Sequence, residues 1–179
     1  MASESLVLDA GGYEIVREIE PGEAVFIDES GTLHSRQCAR ETTLVPCAFE
    51  YVYLARPDTA IHGRSVYESR VDMGRRLALE GPVDADVVIP VPESGTPAAI
   101  GYAQESGIPF GQGLVKNAYV GRTFIQPSQT IRQLGIRLKL NPLHHVIKGK
   151  RLVIVDDSIV RGNTQRAVVR MLREAGAAE

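Results

Sequence analysis

The hydrophobic pattern divides the chain into a β-rich beginning and a longer part in which strands and helices alternate. In the first 45 residues, short apolar segments are separated by the turn signals Gly11-Gly12, Pro21-Gly22 and Ser30-Gly31. Four short strands are predicted there, at 7–8, 13–18, 24–28 and 32–33. Four short strands without a helix are marginal as an independent unit, so we expect this part to be the edge of something larger.

From Phe49 onwards the pattern alternates between strand and helix, starting with the apolar and aromatic segment 49–54 as a strand. An amphipathic helix is predicted over 65–79, ending at Gly81-Pro82. The other predicted elements are strands at 86–91, 109–115 and 151–155 and helices at 96–105 and 164–175. Residues 117–142 have no clear period and predict a long loop or an irregular pair of strands. Alternating strands and helices favour an α/β fold with a parallel sheet covered on both faces.

Composition limits the class of protein. The chain has 179 residues, 44% of them hydrophobic and 23% charged, which is typical of a globular chain that can bury a core. No stretch approaches the roughly 20 apolar residues of a membrane span, and the start lacks the basic region of a signal peptide. The two cysteines, Cys38 and Cys47, form no disulfide framework. We therefore expect a cytoplasmic protein that does not interact with membranes.

Charge is distributed unevenly. Residues 106–155 contain eight Lys or Arg and no Asp or Glu, whereas the rest of the chain holds 12 basic and 22 acidic side chains. Such a basic stretch indicates an anionic partner or is simply a solvated basic face. Because the basic residues are spaced and their flanks are acidic, a compact polyanion such as a diphosphate fits as well as nucleic acid does. Of the two, we expect the compact polyanion and no nucleic-acid partner.

The clearest chemistry follows the strand at 151–155. Asp156 and Asp157 stand at its end, and Gly162 and Thr164 lie at the start of the next helix. Backbone N–H groups at such a helix start bind anions, and glycine permits the positive φ that the turn needs. Carboxylates would repel a phosphate, so they serve hydroxyls or a metal. A phosphate next to vicinal hydroxyls describes a phosphorylated sugar.

The pattern alone leaves alternatives open. An Asp-Asp pair after a strand also occurs in phosphate-accepting receiver domains, although there the pair lies early in the chain, and strand–turn–helix units with Gly and Thr are common. The sequence contains neither the nucleotide P-loop motif nor the glycine-rich dinucleotide motif. Nucleotide binding of those two kinds is therefore excluded.

Segment 153–164 resembles the phosphoribosyl-diphosphate signature of the type I phosphoribosyltransferases. Segments 47–58, 91–95 and 116–127 are similar to those of the amidophosphoribosyltransferase family within them. The resemblance implies a type I phosphoribosyltransferase-like parallel sheet flanked by helices. It also implies that residues 1–45 are the C-terminal part of an incomplete glutaminase-like domain of the N-terminal nucleophile type. Residues 46–179 would be a C-terminally truncated phosphoribosyltransferase domain, so a fragment is expected.

The resemblance also assigns site residues. Asp156 and Asp157 would hold the ribose hydroxyls and, with Ser94, Mg2+, while 158–164 would wrap the 5′-phosphate. Lys116 and Arg122 would be the catalytic cations, with 122–139 as a lid over the diphosphate. The implied substrate-binding residues are Glu93, Ser94, Gly95, Asp156, Asp157, Ser158, Ile159, Val160, Arg161, Gly162, Asn163 and Thr164.

The implied reaction transfers ammonia from a glutaminase domain to C1 of phosphoribosyl diphosphate and releases diphosphate. It yields 5-phosphoribosylamine, the first step of de novo purine synthesis, in a homo-oligomer. Members of the family open with a nucleophilic cysteine directly after the initiator methionine, whereas position 2 here is alanine and no Cys–His arrangement replaces it, so we expect no glutamine hydrolysis by this chain. Cys47 aligns with the first of four cysteines that bind a 4Fe–4S cluster in many members; as an isolated thiol it would instead be buried.

Two other functions compete with this one. A non-catalytic regulator could use the same fold to sense phosphoribosyl diphosphate, but it would carry a DNA-binding winged helix before the domain, where this sequence has β segments. A phosphoribosyltransferase acting on a nucleobase would need a hood that stacks the base. Binding and turnover measurements separate the three.

Overall fold

A computed structural model describes residues 1–119 and 138–179. These residues form two compact units, Met1–Val66 and Tyr67–Glu179. The domain boundary predicted at 45/46 rests on resemblance to a family, whereas the two compact units are defined by contacts within the structure. The predicted boundary therefore stays a prediction. No helix within the described ranges is long and apolar enough to span a membrane.

The first unit contains little regular structure. Its main feature is an antiparallel hairpin, in which Asp28 closes the turn by accepting hydrogen bonds from the backbone N–H groups of Ser30 and Thr32. This hairpin confirms the strand predicted at 24–28, whereas the strand predicted at 32–33 begins at Leu33 and extends to Gln37. The elements of the unit are α1 (Ser5–Ala10), β1 (Glu23–Ile27), β2 (Leu33–Gln37), a π-helical turn (Glu50–Leu54), β3 (Ala60–Ile61) and β4 (Arg64–Ser65).

Three predicted strands in this unit are wrong. Residues 7–8 lie in α1, and 13–18 have no regular secondary structure. The segment 49–54 is helical, and its Phe49 and Tyr53 rings meet edge to face with centroids 6.1 Å apart, as residues four apart on a helix do. A short apolar run does not distinguish a strand from a helical turn, which is why the pattern misled at 7–8 and 49–54.

The second unit follows the predicted alternation. The helices predicted at 65–79, 96–105 and 164–175 and the strands predicted at 86–91 and 151–155 are present with bounds shifted by at most a few residues. Its elements are α2 (Val66–Glu80), β5 (Val87–Pro90), α3 (Thr96–Ser106), β6 (Leu114–Lys116), β7 (Leu140–Pro142), α4 (His144–Ile147), β8 (Leu152–Val155) and α5 (Asn163–Glu174).

The centre of this unit is the parallel pair β5 and β8, in register from Val87 opposite Leu152 to Pro90 opposite Val155. Segment 109–111 continues the sheet beside β5 through hydrogen bonds to Val88. On the other side, the last residues of the chain bond to the backbone beside β8. The predicted parallel arrangement is therefore confirmed.

Both faces of the sheet are covered, because alternate residues of each strand enter two different clusters. Val88, Val153 and Val155 pack with alanines of α2 and α3 and with Tyr102. Val87 and Ile89 face the opposite way and pack with Leu114, Ile147 and the apolar side of α5. A strand covered on both faces needs apolar residues at consecutive positions, which explains the unbroken apolar runs of β5 and β8.

The prediction for 109–115 is right only in part. Phe110 makes a single parallel bridge to Val88, and the regular strand β6 starts at Leu114. β6 pairs with β7 in antiparallel fashion, so the described ends of segment 117–142 include one strand of the irregular pair that the sequence allowed. Residues 120–137, including Arg122 and most of the predicted lid, lie outside the described residues.

At the amino ends of β5 and β8, Arg151 joins two carboxylates. Its backbone N–H donates to Asp86 Oδ2 at 2.8 Å, and its guanidinium donates to Asp86 Oδ1 at 2.9 Å and to Asp84 Oδ2 at 2.6 Å. These bonds, first of all those from the Arg151 side chain, lower the pKa of Asp86 to about 2. The ion-pair cluster fixes the register of the two central strands at the edge opposite the candidate site.

Asp86→Asn is expected to lower the free energy of unfolding at pH 7. A folded-state pKa below the ordinary value means that the ionised Asp86 stabilises the fold above about pH 4 and that this contribution disappears as the pH falls through about 2. Urea unfolding at several pH values should therefore show the difference from wild type shrinking with acid. Asp72→Asn, at an exposed ion pair on α2, is the matched control. A difference that is constant from pH 7 to pH 2 contradicts the prediction.

Candidate functional site

Two loops meet at the carboxyl edge of the sheet because β5 and β8 are parallel neighbours that end in register. Pro90 pairs with Val155, so the loop 91–95 and the loop 156–162 leave the sheet side by side. The backbone N–H of Val91 donates to the Val155 carbonyl at 2.8 Å, which extends the pairing into the loops. Ligands of open α/β sheets bind at this kind of edge. The structure thus brings together the two segments that the sequence singled out separately.

Gly95 is where the first loop presses against the second. A Cβ at this position would lie 2.6 Å from the Val155 carbonyl oxygen and 3.3 Å from the Asp156 Cα. No side chain fits there, so the glycine is needed for the close approach of the backbone. α3 begins at the next residue, with the buried Pro97 in its first turn, and the peptide bond between Pro92 and Glu93 is cis.

Asp156 and Asp157 stand at the end of β8, both half-buried. Asp156 Oδ1 accepts the backbone N–H of Asp157 at 2.9 Å, and Asp157 Oδ1 accepts the Ser158 hydroxyl at 2.6 Å. Burial raises the pKa of the Asp156 carboxyl above its ordinary value, and the negative charge of Asp157 adds to the rise, while hydrogen bonds oppose it. Two adjacent carboxylates in this setting are ready to take a cation or hydroxyl donors.

The loop that follows lies over the start of α5. Its apolar side chains Ile159 and Val160 are 75% and 89% exposed. Gly162 has φ of +69° immediately before α5, in the left-handed region where glycine is favoured. Together with Ser158 and Arg161, these residues form a backbone turn ahead of the twelve-residue helix α5, whose first two residues are Asn163 and Thr164. Such a turn presents N–H groups to an anion.

Lys116 reaches the first loop from β6. Its Nζ lies 2.8 Å from Glu93 Oε2, and the Lys116 side chain is about one-third exposed. An exposed pair of this kind adds little to stability. Its effect is on charge: the amine neutralises the carboxylate of a loop that is expected to meet a diphosphate. Ser94, the third predicted metal ligand, is half-buried in the same loop.

Two residues near the site escaped the sequence interpretation. Arg70, on α2, is only 4% exposed; burial lowers the pKa of its guanidinium and the charge of Asp157 opposes that lowering. Gln165, in the first turn of α5, donates to Asp156 Oδ2 at 3.0 Å and to the Ser158 carbonyl at 2.9 Å. Helical spacing puts Arg70 on the face of α2 that carries the buried Val66 and Gly74, but no sequence signal pairs it with Asp157. Gln165 gave no comparable signal.

The structure also bears on the predictions made for the cysteines. Cys47 is exposed, so its assignment as a buried thiol is wrong. The π-helical turn starts three residues after it, and the chain ahead of this turn has no covering layer in its own unit. Cys38 is exposed as well. Four thiolates normally hold a 4Fe–4S cluster and this sequence has two cysteines, so its residues do not by themselves fit the cluster.

Comparison with known proteins identifies relatives of this chain. A model of the phosphoribosyl transferase domain matches residues 76–179. The chain is 70% identical over its whole length to an amidophosphoribosyltransferase of Mycobacterium tuberculosis H37Rv, of which it covers 34%. It also matches a glutamine phosphoribosylpyrophosphate amidotransferase structure from B. subtilis, complexed with ADP and GMP, with a TM-score of 0.88 and 50% identity over 99% of this chain and 39% of that one.

A further solved structure, described as the allosteric regulatory enzyme of purine biosynthesis, gives the same TM-score and identity and is covered to 38%. The chain thus spans little more than a third of the length of the proteins it resembles.

Proposed function

The chain belongs to the family of phosphoribosyl transferase domains, and on that premise we propose that it serves an amidophosphoribosyltransferase. The proposed reaction moves ammonia onto C1 of phosphoribosyl diphosphate, releases diphosphate and yields 5-phosphoribosylamine for purine synthesis. The names of the similar proteins support this reaction and this biosynthetic route. The residues proposed to bind substrate are those assigned from the sequence.

One observation carries the proposal: the carboxyl ends of β5 and β8 put a carboxylate pair and two backbone turns at one edge. A phosphorylated sugar with a diphosphate at C1 needs three kinds of contact. The turn 158–164 supplies backbone N–H groups for the 5′-phosphate, and Asp156 with Asp157 accepts the ribose hydroxyls. The loop 92–95, with Lys116 beside it, faces the diphosphate end.

Mg2+ fits this donor set. Asp156, Asp157 and the Ser94 hydroxyl would hold it, all oxygen donors of the kind Mg2+ prefers. Within the described residues no group of three or more His, Cys, Asp or Glu is placed to hold a metal. One or two carboxylates suffice for a magnesium ion when substrate phosphates and water complete its shell. When bound, the ion would neutralise charge on the diphosphate.

The protein's own part in the reaction is positioning and electrostatics. Ammonia is a nucleophile without deprotonation, so the site needs no general base. Asp156 and Asp157 would orient the ribose so that C1 faces the nucleophile, while the Lys116 amine stabilises negative charge on the departing diphosphate. We propose the same task for Arg122 and a lid over 122–139; Arg122 and most of the lid lie outside the described residues.

The proposal includes a glutaminase domain as the source of ammonia, a homo-oligomeric assembly and a cytoplasmic location. Residues 1–45 resemble only the C-terminal part of such a domain, so the ammonia would come from a complete glutaminase domain. A 4Fe–4S cluster at Cys47 would likewise require further thiolates.

A two-step experiment tests the function. Calorimetric titration with phosphoribosyl diphosphate and MgCl2 should show binding that disappears when EDTA replaces the metal. Diphosphate release should then depend on added ammonium chloride and be insensitive to added nucleobases. Binding without release favours the sensing regulator, and release that requires a nucleobase favours a nucleobase transferase. Absence of binding by the folded protein contradicts all three.

A further inference from the structure

Gln165 connects two parts of the second loop to α5 through one side-chain amide. Its Nε2 lies 3.0 Å from Asp156 Oδ2 and 2.9 Å from the Ser158 carbonyl oxygen. An amide nitrogen carries two hydrogens, so one can go to each acceptor. Gln165 is itself held by α5, whose apolar side is anchored in the core by Val168, Met171 and Leu172. The side chain therefore ties the loop to a rigid element.

The bond to Asp156 restricts the rotation of its carboxylate. Oδ1 already accepts the backbone N–H of Asp157, and Gln165 occupies Oδ2 from the other side. With both oxygens engaged, the carboxylate plane is fixed before any ligand arrives, while each oxygen retains a further lone pair for a hydroxyl or a cation. Fixing an acceptor in advance reduces the entropy that a ligand would otherwise lose on binding.

The bond to Ser158 orients a peptide group. In a trans peptide the C=O and the following N–H point in opposite directions. Because the Ser158 carbonyl is directed at Gln165, the N–H of Ile159 is directed away from the Gln165 amide. Ile159 begins the exposed part of the turn, so Gln165 determines which way the first donor of that turn faces.

We propose that Gln165 is a positioning residue for phosphoribosyl diphosphate, which holds the Asp156 carboxylate and the 158–159 peptide in the orientation that binds the sugar phosphate. The inference rests on the proposed function. It goes beyond the proposed function because that function gives Gln165 no role. Gln165 would act through Asp156 and Ser158, without contacting the reacting carbon or the leaving group.

Gln165→Leu and Gln165→Glu test the proposal in the purified protein. Loss of the two donors in Gln165→Leu is expected to raise KM and Kd for phosphoribosyl diphosphate about tenfold, the size of one lost hydrogen bond to a charged group. kcat should change less than about threefold, because the hydroxyl contacts exist in both ground and transition state. Gln165→Glu, nearly isosteric but without donors and facing a carboxylate, should lose at least as much. Gln104→Leu, a second helical glutamine whose amide bonds to Arg75, is the matched control.

A double-mutant cycle separates positioning from a general structural role. If Gln165 acts through the Asp156 carboxylate, Gln165→Leu should weaken binding by less than about threefold in an Asp156→Asn background. Full additivity of the two effects, or wild-type KM in both Gln165 variants, overturns the proposal. A wild-type protein that binds no phosphoribosyl diphosphate overturns the proposed function itself, and the two failures are thereby distinguishable.

Discussion

Asp156→Asn combined with Asp157→Asn is expected to weaken binding of phosphoribosyl diphosphate with Mg2+ by at least about a hundredfold, and to abolish ammonia-dependent diphosphate release. Each carboxylate is expected to accept hydroxyl hydrogens or coordinate the cation, and hydrogen bonds to charged groups contribute about 1.5–3 kcal/mol each. Losing two such groups corresponds to a factor of about a hundred or more. Calorimetric titration measures the affinity, and a coupled diphosphate assay measures turnover.

The fold should survive this double substitution, because neither side chain lies in the apolar clusters on the two faces of the sheet. Circular dichroism and thermal unfolding check that point. Asp72→Asn combined with Glu80→Gln removes two exposed carboxylates of the same unit and should leave the affinity within about twofold of wild type. Unchanged affinity in a folded Asp156→Asn, Asp157→Asn protein would show that the carboxylate pair does not hold the ribose.

The chemistry of the second loop could be predicted because its signals are local. An apolar strand, two acids, a glycine and a helix start follow one another within a dozen residues, and the structure reproduces that order from Leu152 to Asn163. The neighbouring position of loop 91–95 did not follow from local signals, because segment 109–111 lies between β5 and β8 in the chain and also runs parallel to β5. β5 and β8 do pair, although β6 and β7 intervene in the chain.

What could not be predicted depends on contacts between distant residues. Arg70 lies more than eighty residues before the carboxylate whose charge it feels, and only the packing of α2 in this unit brings the two within electrostatic reach. Gln165 looks like any polar residue in a first helical turn, and its role follows from the path of the preceding loop. The hydrophobic period of a sequence specifies which face of a helix is buried. It does not specify which side chains of other elements pack against that face.

The first unit shows a different limit of prediction from sequence. Its apolar runs are too short to discriminate between periods of 2 and 3.6, so local contacts decided the outcome. The prediction of the hairpin was correct because its turn residues, Asp28, Ser30 and Thr32, are typical of turns and can be recognised in the sequence. At 49–54 no such signal was present, and the aromatic pair favoured a helical turn.

Gly101→Ala is expected to be among the most destabilising single substitutions in the second unit. A Cβ on Gly101 of α3 would lie 1.9 Å from the Val71 carbonyl oxygen of α2, and a Cβ on Gly74 of α2 would lie 1.9 Å from the Ala98 carbonyl oxygen of α3. The two helices thus approach through reciprocal glycines, backbone against backbone. A methyl group cannot be accommodated by a side-chain rotation, because the atoms in its way belong to the main chain.

Relief of that overlap requires α3 to move away from α2, which opens the cluster around Ala99, Tyr102 and Val88. We expect a loss of about 3 kcal/mol or more in the free energy of unfolding, at the upper end of overpacking effects. For a unit of this size that corresponds to a decrease in Tm of about 10 °C. Thermal and urea unfolding measure it.

Gly81→Ala is the matched control, since a Cβ there meets only the Leu77 carbonyl oxygen at 3.6 Å, an ordinary contact, and should change stability by less than about 1 kcal/mol. Because α3 begins directly at loop 91–95, Gly101→Ala should also weaken binding of phosphoribosyl diphosphate at temperatures well below its Tm. Equal stability of the two alanine variants would mean that α2 and α3 do not pack through their glycines, and the position of loop 91–95 would then need another support.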